Sequence, residues 1–145
     1  MSMELFVILA LNRAPDIEAW DRALSAREIP ARVVSRVELS SYSGFLSLVV
    51  KDHESGMYFR RDDYSDLRSH YGSLAAMDLD KPIVYALGYG GHFYECAAAF
   101  YAAAALVAEF GGKAFEPQGR VFMNLEQLIE AGDTCYASAS NADNG

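Results

Sequence analysis

The chain has 145 residues and a net charge of −8, enough for one compact core and too little for two ordinary domains. A hydrophobic fraction of 52% with 22% charged residues excludes a disordered chain, and the acidic balance argues against direct phosphate binding, which needs clustered Lys and Arg. The longest uncharged apolar run, residues 96–108, is too short to cross a bilayer. With an acid at Glu4, where a secretory leader carries bases, the expected setting is the cytoplasm, and there Cys96 and Cys135 are expected to stay unpaired.

Residues 5–11 form a continuous apolar run, the pattern of a strand buried on both faces. Residues 12–16 supply turn chemistry. Ile17, Trp20, Ala23 and Leu24 follow at helical spacing, in a helix that must end before Pro30. Residues 32–40 alternate imperfectly, as a strand with one wet face does, and after a break at residues 41–44 the run 45–50 predicts a second strand. The polar stretch 51–56 reads as an exposed hairpin loop with residues 57–60 as the returning arm. Residues 62–77 carry Leu67, Tyr71 and Leu74 and predict a helix.

Residues 83–87 predict another strand, and the glycine turn Gly88-Tyr89-Gly90-Gly91 leads into the longest helix, residues 92–110. That helix is alanine-rich with only Glu95 and Glu109 charged, so it is expected to be buried on most sides, packing on the sheet through Phe93, Ala97, Phe100 and Ala104. Gly111 and Gly112 end it. Residues 113–116 and 120–123 make a hairpin around Pro117-Gln118-Gly119, and Asn124 caps a last helix carrying Leu125, Leu128 and Ile129 and reaching about Tyr136. The result is a single α+β domain over residues 1–137: one mostly antiparallel sheet with helices packed mainly on one side. Residues 138–145 are expected to form a polar, disordered tail.

No catalytic constellation is complete. The glycine turn lacks the third glycine of a dinucleotide fingerprint, where Phe93 stands, and no Walker lysine follows. His92 and Glu95 share one helix face, yet two ligands do not hold a metal. Cys96, four residues from His92, has no third group to orient it as a nucleophile, and a buried, inert thiol is expected. The expected protein therefore uses no catalytic residue, metal or cofactor. Charge is more informative. Around the first hairpin, Asp52, Glu54, Asp62 and Asp63 lie near Tyr58 and Tyr64, and tyrosine brings apolar area with a hydrogen-bonding tip. These six are the candidate partner-binding residues.

Three segments taken in order carry a resemblance: Ser43-Gly44-Phe45-Leu46 with Glu54-Ser55-Gly56, then Gly88-Tyr89-Gly90-Gly91-His92-Phe93-Tyr94-Glu95 opening the alanine-rich helix, then Gly111-Gly112 with Phe115-Glu116-Pro117-Gln118-Gly119. Together they resemble a group of small bacterial cytoplasmic proteins similar to the immunity proteins of polymorphic toxin systems. The resemblance implies a non-enzymatic protein that neutralises a cognate toxin, encoded nearby, by occluding it. Two other readings stand beside it. One is a small enzyme or ligand-binding domain centred on the turn from Gly88 to Glu95; the other is a homodimeric structural subunit in which a second copy covers the apolar helix. Neither nucleic acid nor a membrane is an expected partner.

Overall fold

The computed structural model describes residues 3–144. Seven strands, β1 (Met3–Ala10), β2 (Ala31–Val33), β3 (Gly44–Val50), β4 (His53–Asp62), β5 (Pro82–Tyr89), β6 (Lys113–Glu116) and β7 (Val121–Met123), form one sheet in the order β2-β3-β4-β5-β1-β6-β7. Every neighbouring pair is antiparallel, and with four α-helices the fold class is α+β, as the sequence implies. β1 lies inside the sheet between β5 and β6. It sends Leu5, Val7 and Leu9 to one face and Phe6 and Ile8 to the other, which is why its run of apolar residues is unbroken.

The main core covers one face. α1 (Ile17–Ala26) starts at Asp16, whose carboxylate accepts from the Ala19 N–H at 2.8 Å, and buries Ile17, Trp20, Ala23 and Leu24. α3 (Phe93–Phe110) lies between the sheet, α1 and α4 (Leu125–Asn144). All ten residues from 97 to 106 are buried, so the helix is covered on every side and small side chains are what let its neighbours come close. Ala97, Phe100 and Ala104 are among them; the Phe93 side chain lies outside the described residues. α3 ends at Gly111, in the left-handed region at φ 69°, and the Gly112 N–H returns to the Leu106 carbonyl at 3.1 Å. No described helix is long and apolar enough to cross a membrane.

α4 meets α3 at Gly132, where a Cβ would stand 2.5 Å from the Tyr101 ring. The Tyr101 hydroxyl donates to Asp133 on the same helix, and burial first, then Asp133, holds its pKa above the ordinary tyrosine value. Replacing Ala97 or Ala104 by Leu forces extra volume into this closed packing and should cost about 1–3 kcal/mol. Chemical denaturation checks this, and an unchanged midpoint in both variants would contradict the packing.

Several elements differ from the sequence-based expectation. The strand expected at residues 32–40 survives only as β2. Beyond it the Ser35 hydroxyl accepts from the Ser47 N–H at 2.8 Å, and this side chain takes the place of a ladder bond. Residues 53–56, expected in a loop, are strand: Val50 pairs with His53 across a turn of Lys51 and Asp52, with Lys51 at φ 55°. The helix expected at 62–77 is split into α2 (Tyr64–His70) and a short 3-10 turn (Gly72–Ala76).

The last helix does not stop near Tyr136, nor are residues 138–144 a disordered tail. α4 runs to Asn144 and buries Ala139; Gly145 lies outside the described residues. Cys96 and Cys135 are not unpaired. They form a disulfide between α3 and α4, with Cα atoms 5.8 Å apart, so Cys96 is neither an inert thiol nor a nucleophile in this form. The pairing depends on how α4 lies along α3, which the spacing of two cysteines does not reveal.

Candidate binding face

The second face of the sheet is only half covered. α2 and the 3-10 turn set Leu67 and Leu74 on Phe6, Ile8, Val84, Ala86 and Phe115, a small second core. Strand alternation and register define what is left open. Leu46, Leu48 and Val50 of β3 and Met57 and Phe59 of β4 point into the main core. Phe45, Ser47 and Val49, and Glu54, Tyr58, Arg60 and Asp62, therefore stand on the opposite, open side. Gly88 of β5 and Glu4 of β1 continue it in register with Tyr58.

Two aromatic rings centre this surface. Phe45 pairs directly with Tyr58, their centroids 5.1 Å apart in an edge-to-face arrangement, and they remain 37% and 58% exposed. A glycine makes room for Phe45: a Cβ on Gly56 would lie 2.5 Å from Phe45 Cζ, so the ring lies across Gly56. A shallow hollow of about 400 Å³ opens beside Tyr58, Arg60 and Gly88.

Charges surround the rings. Arg60 donates to both Asp62 oxygens, at 2.8 and 2.9 Å, and reaches Glu4 on β1 at 2.6 Å. The Asp62 hydrogen bonds first, and Glu4 after the opposing effect of partial burial, hold the guanidinium well above its ordinary pKa. Arg60 is a fixed cation with both partners engaged. Pairs this exposed add little stability; their effect is to fix the side chains. Three carboxylates, Glu4, Glu54 and Asp62, share the face with Arg60 and, on the edge strand β2, Arg32.

The six expected site residues divide. Glu54, Tyr58 and Asp62 stand together on β4's open side, and Asp52 sits in the exposed turn at its end. Asp63 and Tyr64 do not join them: the Asp63 carboxylate caps α2 by accepting from the Ser65 N–H at 2.7 Å, and Tyr64 is half-buried against the second core, its hydroxyl donating to the Leu74 carbonyl. Phe45, Arg60, Glu4 and Gly88 belong to the face and were not singled out as partner contacts from the sequence. The signal was present in β3, where Ser47 at period two from Phe45 marks a wet side inside an apolar run.

The glycine turn is shorter than its sequence suggests, because Gly88 and Tyr89 remain in β5, opposite Glu4 and Met3. One Glu95 oxygen accepts from the Gly90 N–H at 3.0 Å, so this carboxylate organises the turn into α3. Among the described residues, no three His, Cys, Asp or Glu side chains gather to hold a metal ion. What the fold presents is an α+β domain with a half-open sheet face, aromatic at the centre and charged around it. No protein family, curated protein or solved structure matches the chain.

Proposed function

We propose that this is a non-enzymatic binding protein, an immunity protein that neutralises a cognate bacterial toxin by occluding it. The observation that carries the reading is the open sheet face, where Tyr58 and Phe45 are solvent-exposed on paired strands, with Phe45 lying across Gly56 and the Arg60 ion pairs on the same face. Interfaces draw most of their affinity from a few such aromatic anchors. The sequence resemblance supports the same reading. The homodimeric alternative rested on an apolar helix in need of cover, and α3 finds that cover within one chain.

The carboxylates also set the rate of encounter. Asp62 and Asp63 hold Arg60 and cap α2, so reversing them would disturb structure as well as charge; Glu54 is the cleaner probe. Glu54→Lys should slow association several-fold at low ionic strength and little at 1 M salt, where the screening length falls to about 3 Å. Stopped-flow mixing with the toxin reads this directly, and a salt-independent rate ratio would contradict steering.

The compartment enters the same reading. The sequence points to the cytoplasm, which holds thiols reduced, whereas a closed Cys96–Cys135 bridge belongs with an oxidising compartment; thiol labelling in cells decides which form works. The function itself is tested by expressing the toxin encoded beside this gene with and without the protein. Protection of the cells, with binding below micromolar concentration, is expected. No binding and no protection would sink the immunity reading and favour a ligand-binding domain at the glycine turn.

A further inference from the structure

β4 outruns its neighbour. The β4–β5 register starts with Tyr58 opposite Gly88, whereas β4 begins at His53, so its first residues have no strand partner on that side. The chain leaves β5 at Tyr89, turns through Gly90, Gly91 and His92 and enters α3. Between this turn and the β3–β4 hairpin lies a cleft of about 590 Å³ whose walls include Phe45 and Val49 from β3, Glu54 and Ser55 from β4, and Tyr94 and Glu95 from α3.

Two carboxylates and two aromatic residues thus line one space. Glu54 is exposed, and among the described residues no hydrogen bond or ion pair engages it. Glu95 spends one oxygen on the Gly90 N–H. Among the described residues the buried Ser55 hydroxyl has no hydrogen-bond partner. Of the bases around it, Lys51 Nζ sits 3.9 Å above the Tyr136 ring and Arg60 is held by Asp62 and Glu4, while Arg32 stands beyond Val49 on the edge strand and His92 forms part of the cleft wall.

We propose that this cleft takes the guanidinium of an arginine side chain presented by the partner protein. The inference rests on the binding reading above and adds the chemistry of the partner. A guanidinium is planar, so it stacks on an aromatic face and meets a carboxylate with two parallel N–H bonds at once. Cation–π attraction at the exposed Phe45 ring adds to the pairing, the Tyr94 ring being already stacked on His53 at 4.2 Å. An ammonium gives only a point charge, and an apolar side chain would leave Glu54 desolvated and unpaired.

The test needs no toxin. Nα-acetyl-arginine amide is titrated into the protein and followed by the backbone amide signals of Ser55, Gly90 and Gly91, with Nα-acetyl-citrulline amide as the neutral counterpart of nearly the same shape. A saturable shift confined to these amides is expected for the arginine compound alone. Glu54→Gln should weaken it roughly tenfold or more, with an unchanged unfolding midpoint because Glu54 is exposed. Absence of a localised saturable shift, equal binding of the citrulline compound, or undiminished binding to Glu54→Gln would overturn the proposal. Such a failure would leave toxin binding by the sheet face standing, and a toxin that does not bind would not erase a positive titration.

Discussion

Replacing Trp20 by Ala should lower the folding free energy by about 3–5 kcal/mol, which moves the thermal midpoint by on the order of 10 °C. Trp20 is the only tryptophan in the chain and is fully buried. Its indole stacks on Tyr85 at 5.8 Å, meets Phe59 edge-on at 6.2 Å, and donates through Nε1 to the Ala102 carbonyl of α3 at 2.9 Å. One side chain therefore joins α1, α3 and two central strands. Truncation leaves a cavity walled by Phe59, Tyr85 and α3, elements that the sheet ladder and the α4 packing hold in place, so collapse around the gap is limited. Trp20→Phe keeps much of the volume and loses the hydrogen bond, so its cost should be smaller. Urea denaturation of both variants checks the order, and equal midpoints for Trp20→Ala and the unaltered protein would contradict the assigned core.

The second large effect belongs to the disulfide. Cys96 and Cys135 are separated by 39 residues, and opening a loop of that length should cost about 3–4 kcal/mol in the chain-entropy account. Reduction and the double substitution Cys96→Ala with Cys135→Ala should lower the midpoint alike. The loss should appear first in α4, where residues beyond the bridge bury little besides Ala139; hydrogen exchange there should quicken before the sheet loosens. Two thiols titrating in the folded, unreduced protein would contradict the closed bridge.

Periodicity made much of this fold readable. β1, α1, β5 and α3 carry patterns with one interpretation each, because each buries a stripe or both faces and its composition records that burial. The failures share a cause. Residues 53–56 read His-Glu-Ser-Gly and look like a loop, yet Glu54 lies on the open face, where β4 needs no apolar residue, His53 turns to the other side and stacks on Tyr94 at 4.2 Å, and Gly56 is there to pass beneath Phe45. Residues 138–144 lack an apolar stripe because α4 has little left to bury beyond the bridge. β2 ends early because the Ser35 side chain competes for the ladder, a local hydrogen bond that alternation cannot show.

The candidate face was half legible. Glu54, Tyr58 and Asp62 alternate along one strand and could be grouped from sequence, whereas Asp63 and Tyr64 follow directly in the chain and turn away once α2 begins. Glu4 comes from a strand more than fifty residues earlier and reaches Arg60 only because the sheet order places β5 alone between β4 and β1. Phe45 was hidden by its apolar neighbours.

The most direct measurement of the central claim is the dissociation rate of the toxin from the Tyr58→Ala variant, set against Val121→Ala, which removes an exposed apolar side chain 50% accessible on the distant edge strand β7. A central anchor is worth about 2 kcal/mol or more, so Tyr58→Ala should speed dissociation roughly thirtyfold or more, with Val121→Ala near the unaltered rate. Equal rates for Tyr58→Ala and the unaltered protein would contradict the open sheet face as the toxin-binding surface.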